Sequence, residues 1–99
     1  MTTIYTGYVD TTVLSNHRSP KGAAAALIDE MQARLSRNGS TPISDGERTI
    51  LIDLILDTSV IALDQGAGTS RCAVPVERMT RMAFVLNRTF SVKATTLLD

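Results

Sequence analysis

The chain has 99 residues and a mass of 10.7 kDa, with ten Lys or Arg against ten Asp or Glu. This length suits one small domain, and hydrophobic (43%) and charged (20%) fractions of ordinary size exclude wholesale disorder. Zero net charge gives no general attraction to nucleic acid or to an anionic membrane, and with few aromatics and no Trp the core is expected to be aliphatic.

Residues 3–14, TIYTGYVDTTVL, are rich in Thr, Ile, Tyr and Val, which suit a strand. Gly7 and Asp10 interrupt the run, so it predicts one bent strand or two short ones. SNHRSP at 15–20 has the composition of a turn. Ser19 can cap a first helix over 20–38, with Pro20 at its first position. Leu27, Ile28, Met31, Leu35 and Ala24 share one arc of it, Glu30 and Arg34 are spaced to pair, and Asn38-Gly39 closes it. Ser44 and Glu47 match a capping box opening a second helix over 44–65. From Ile50 to Leu63 that segment is apolar nearly all round, apart from a narrow acidic stripe of Asp53, Asp57 and Asp64. Such a helix is expected at the centre, covered on most sides. Pro75 can open a third helix over 75–90, with Met79, Met82, Ala83, Leu86 and Phe90 on one face and Arg78, Arg81 and Arg88 opposite; Phe84 and Val85 stand away from the apolar face. The tail, 91–99, is β-prone.

These elements predict a mainly α fold with a short N-terminal β element, an α+β single domain over residues 1–99 built on a three-helix core. Its expected core is Leu27, Met31, Leu35, Leu51, Ile55, Ala62, Met79, Leu86 and Phe90. Charge is uneven: residues 1–40 carry +1, residues 41–66 carry −4 and residues 67–99 carry +3. An acidic second helix beside a basic third one suits an antiparallel pair, or a symmetric dimer in which one copy's acidic stripe meets the other's arginines. Two amphipathic helices cannot cover so apolar a second helix, leaving Ile52, Leu56, Val60 and Leu63 open for self-association, unless the N-terminal strands cover it within one chain.

The sequence contains no recognisable catalytic constellation, and no enzyme, metal site or cofactor is expected. The lone Cys72 cannot form an internal disulfide or a cysteine-based zinc site, and reads as a small reduced residue. Its alternative role, a nucleophile activated beside Arg71, needs a base, and His17 is the only histidine. Asp53 and Asp57 read as a solvated helix face rather than as metal ligands. No apolar run reaches the roughly 18 residues of a membrane span, and residues 1–5 lack the features of a signal peptide. A cytosolic protein is expected, in a host cytosol if viral.

Binding is the expected activity. The leading expectation is a self-associating interaction protein that blocks or regulates a protein partner, contacting it through Tyr5, Tyr8, Arg78, Arg81, Phe84 and Arg88, since Tyr and Arg are favoured at hot spots. The tyrosines have packing in the β element as their alternative role. In size and self-contained build the chain resembles virus-encoded accessory inhibitors, which act by occupying a host molecule. A second expectation is an oligomeric binder of a phosphate-bearing small ligand such as a nucleotide. It rests on two donor-rich segments: His17, Arg18, Ser19 and Lys21 at a helix N-terminus, and Gly66, Gly68, Thr69, Ser70 and Arg71 in a glycine-rich loop that lacks a Walker ending. In that reading the two segments meet across a subunit interface, and Tyr5 or Tyr8 stacks on a base. Nucleic-acid binding through Arg78, Arg81, Arg88 and Lys93 ranks third, because the loop before the third helix is too long for a helix-turn-helix.

Overall fold

A computed structural model describes residues 2–63 and 76–98, with backbone alone at Ala62, Val76 and Glu77. The chain runs β1 (Thr2–Val9), β2 (Thr12–His17), α1 (Pro20–Arg37), α2 (Asp45–Thr58), β3 (Val60–Leu63), α3 (Val76–Leu86) and β4 (Arg88–Leu97). The strands form one antiparallel sheet in the order β2-β1-β4-β3. A mainly helical fold with a short N-terminal β element is thereby overturned. The chain is α+β, and among the described residues half are helical and a third lie in strands.

The N-terminal run resolves into two strands. Asp10 turns between them with a φ of 56°, which a short polar side chain tolerates better than most. α1 forms where its signals place it: the Ser19 hydroxyl accepts from the Gly22 amide at 3.0 Å, with Pro20 in the first turn. Its buried face, Ala23, Ala24, Leu27, Ile28, Met31 and Leu35, lies over β1. Gly7 makes the close approach available, because a Cβ there would meet Leu27 Cδ2 at 3.3 Å. Both hydrogen bonds of the Ser44–Glu47 capping box are present at the start of α2.

The second and third helices end earlier than their periodicity predicts. α2 stops at Thr58 instead of 65. Ser59 takes a left-handed φ of 65°, and the Thr58 hydroxyl lies 2.8 Å from the carbonyl oxygens of both Leu54 and Val60. The β-branched Val60 and Ile61 then enter β3. The nearly uniform apolarity of 50–63 therefore belongs to two elements: α2 buries Leu51, Leu54 and Ile55, while β3 buries Ile61 and Leu63. α3 stops at Leu86 instead of 90 because Asn87 adopts a φ of 45° and sends the chain into β4. Arg88 and Phe90 are thus strand residues, and the β-prone tail is the continuation of β4.

Side chains of β1, β3 and β4 that face the helices (Val9, Ile61, Leu63 and Phe90) join α1, α2 and α3 in one apolar cluster. Of the expected core, Leu27, Met31, Leu35, Leu51, Ile55, Met79, Leu86 and Phe90 are all buried, and the side chain of Ala62 lies outside the described residues. Leu63 is buried, and Ile52 packs partly against the cluster, whereas Leu56 and Val60 stay exposed.

Glycine at position 59 distinguishes a helix end from a helix interior. In a continuous helix Ser59→Gly costs about 0.5–1 kcal/mol. At a left-handed cap it relieves strain instead, so we expect stabilisation of about 1 kcal/mol and a thermal midpoint higher by roughly 4–8 °C, measured by circular dichroism.

Candidate functional site

α3 and the connection between α1 and α2 enclose a groove of about 450 Å³. Buried Leu35 and Met82 lie at its base, with Ser40 and Thr41 on one wall and Phe84 and Val85 on the other. Arg78 fixes this arrangement. Its Nε donates to Glu47 Oε2 at 3.0 Å, and its Nη2 donates to the carbonyls of Thr41 and Pro42 at 2.8 and 2.9 Å. One guanidinium thereby ties α3 to the capping box of α2 and to the backbone of the connection. The Ile43 amide, donating to Gln32 Oε1 at 2.7 Å, fastens the same connection to α1.

The burial of Glu47 raises its carboxyl pKa. The Ser44 amide and the Arg78 guanidinium, by hydrogen bonding and by charge, outweigh burial and hold the group below the ordinary glutamate range. The pair is partly shielded, with the Glu47 and Arg78 side chains 22% and 14% exposed.

Phe84 is 81% exposed. An aromatic ring left in water at the lip of a groove is unusual for a residue that folding does not need. Arg81 lines the same groove, is exposed, and has no ion pair among the described residues. Beyond Val85 the surface continues into a second hollow lined by Arg34, Arg37, Asn38 and Arg88. The one acid of that hollow, Glu30, lies 2.8 Å from Arg34 and 3.7 Å from Arg37. Arg88 leans on Asp10 at 3.4 Å. The result is an apolar centre with a basic surround.

Three of the six residues predicted for partner contact, Arg78, Arg81 and Phe84, therefore line one groove. Arg88 sits on the adjoining surface. Tyr5 and Tyr8 lie elsewhere and on opposite faces of β1. Tyr5 is beside Pro20 and the end of α2, and Tyr8 is on the other side with Lys93 Nζ 5.3 Å from its ring centre. Val85, Ser40 and Thr41 are not among the residues predicted for partner contact. The displacement of Val85 from the apolar face of the third helix was the available signal, while the Ser-Thr-Pro connection reads only as a turn.

Two residues of the first phosphate segment are engaged in contacts of their own. His17 Nε2 is 2.7 Å from Ser15 Oγ, and Ser19 Oγ receives the Gly22 amide. Arg18 and Lys21 are exposed. Gly66, Gly68, Thr69, Ser70, Arg71 and Cys72, with Asp64, lie outside the described residues. Asp53 and Asp57 are exposed on α2. Among the described residues no three His, Cys, Asp or Glu side chains gather as metal ligands, and no helix is long and apolar enough to cross a membrane. No protein family, curated protein or solved structure matches the chain.

Glu47→Gln keeps the capping geometry but removes the charge facing Arg78. We expect a loss of about 1 kcal/mol at neutral pH. A carboxylate with a lowered folded-state pKa stabilises the fold above its unfolded pKa, and that contribution fades as pH falls through the folded value. The gap between wild type and variant should therefore close in acid, below the ordinary glutamate range, in urea melts taken across pH.

Proposed function

We propose that the chain is a non-enzymatic interaction protein that docks a segment of a partner protein on α3 and thereby blocks or regulates that partner. The observation that supports this most is the placement of exposed Phe84 with exposed Arg81, which has no ion pair among the described residues, at a groove whose walls are already held by Arg78. A rigid groove costs little ordering on binding, and an aromatic residue beside an arginine is the usual composition of a hot spot. The basic surround favours an acidic segment carrying one bulky apolar side chain for the groove.

The nucleotide reading has weaker support, since two residues of its first segment, His17 and Ser19, are engaged in local contacts. Recognition of nucleic acid by a continuous arginine face on the third helix loses Arg88 to β4, and Arg78 is committed to Glu47 and two carbonyls.

The test is affinity capture with wild-type protein beside Phe84→Asp and Arg81→Glu, both at exposed positions. We expect a protein retained by wild type, weakened by raised salt, and bound at least tenfold more weakly by each variant, about 1.4 kcal/mol. A partner held equally by all three baits overturns the reading. So does a nucleotide that raises the thermal midpoint on the order of 10 °C at about 100 times its dissociation constant.

A further inference from the structure

β1 and β4 pair over eight rungs, from Thr2 opposite Leu97 to Val9 opposite Phe90. β2 reaches only as far as Tyr5, and β3 only as far as Ser91. The far end of the pair therefore projects as a two-stranded ribbon, consistent with the molecule's 46 × 26 × 24 Å extents. A bare ribbon of this kind is marginal in water.

The direction of its free hydrogen-bonding groups follows from strand alternation. The Val92 amide donates to the Ser59 carbonyl at 2.9 Å, on the β3 side, whereas Thr89 exchanges bonds with Asp10 on the β1 side. Even-numbered residues of β4 thus turn their backbone groups away from β1. Beyond Val92 these are Ala94 and Thr96, which face an edge with no described strand. Soluble proteins commonly blunt such edges with charge, proline or a bulge. β2 does so, with Leu14 as an extra residue between the rungs of Ser15 and Val13. Residues 94–98, ATTLL, contain neither charge nor proline.

We propose that two copies of the chain pair antiparallel along this edge, about a two-fold axis at Thr95, joining two four-stranded sheets into one of eight. Ala94 and the partner's Thr96 then exchange hydrogen bonds, and symmetry repeats the exchange. Thr95 faces the partner's Thr95, and Lys93 faces the partner's Leu97. An axis at Lys93 sets two like charges together and competes with Ser59 for Val92. An axis beyond Thr95 draws on Leu98, which lies past the end of the strand.

In the same register the partner's strand ends at Leu97 opposite Lys93, since Ser59 holds the rung of Val92, and the partner's Leu98 leaves the strand beside that rung, on the helix-facing side. Tyr5, Ile55, Leu56, Val92 and Ala94 line a hollow of about 200 Å³ there. Leu98 is 82% exposed in the single chain and Leu56 is 41% exposed, so pairing removes two exposed leucines from water together. The proposal is independent of the groove on α3.

The experiment is sedimentation of the full chain at tens of micromolar, with three variants. Thr96→Pro removes an outward amide and leaves the β1–β4 ladder intact. Leu98→Asp changes a residue the single chain leaves in water. Each should weaken dimerisation at least tenfold, with an unchanged far-ultraviolet spectrum. Thr95→Cys in a Cys72→Ser background should form a disulfide-linked dimer on mild oxidation, since residues facing each other in a non-hydrogen-bonded pair lie within bridging distance. Leu97→Cys, two rungs from the axis, should not. A wild-type monomer throughout this range overturns the proposal, as does a dimer that both Thr96→Pro and Leu98→Asp leave intact.

Discussion

The pairing of β1 with β4 is the contact on which the rest of the molecule depends. It joins strands from opposite ends of the sequence along eight rungs and places them at the centre of the sheet. β2 attaches to it through a tight turn, and β3 attaches only through β4. Without it the helices lose the part of the floor formed by Phe90 and Val92, and α1 has only the β1–β2 hairpin beneath it. Because its partners are so distant in sequence, the chain must close a long loop before the pairing gains anything. The helical caps and the β1–β2 turn, being local, need no such closure.

This dependence explains which parts were legible in the sequence. α1 was readable because Ser19, Pro20, Asn38 and Gly39 mark its ends and its apolar spacing lies between them. The start of α2 was equally clear, because Ser44 and Glu47 make a reciprocal pair of hydrogen bonds within one turn. Its end was not. Leu54, Ile55, Ile61 and Leu63 fit a continuous helix and a helix-then-strand arrangement equally well, since a segment apolar nearly all round has no period that separates the two. What decides is Ser59, which reverses the backbone with a residue that seldom does so. Thr58-Ser59 followed by two β-branched residues was the available hint.

Asn87 misleads in a similar way. Phe90 follows Leu86 by four, so the helical period includes it, yet it reaches the core from a strand. Asn is the residue other than glycine most at ease with positive φ, and the Thr-Phe-Ser-Val alternation after it has the period of a strand. Correcting that boundary matters for the candidate site. Arg88 leaves the helical row of Arg78 and Arg81 and turns toward Asp10, so the arginines do not form one stripe. They divide into a structural clamp, Arg78, and an exposed cation with no ion pair among the described residues, Arg81, which the sequence alone cannot tell apart.

The clamp and the groove are consequences of the same local chemistry. Ser44 and Glu47 cap α2, and the carboxylate that completes the cap is the one that receives Arg78. The guanidinium's remaining donors reach two carbonyls of the connection between α1 and α2, backbone that lies in neither helix. A helix cap, an interhelical ion pair and the shape of a groove wall are therefore one network. Phe84 needs none of it for folding, being largely in water, but its position beside that wall is set by it. Stability at Glu47 and the proposed docking at Phe84 are in this way separable by mutation, although both depend on the way α3 is fastened to the rest of the chain.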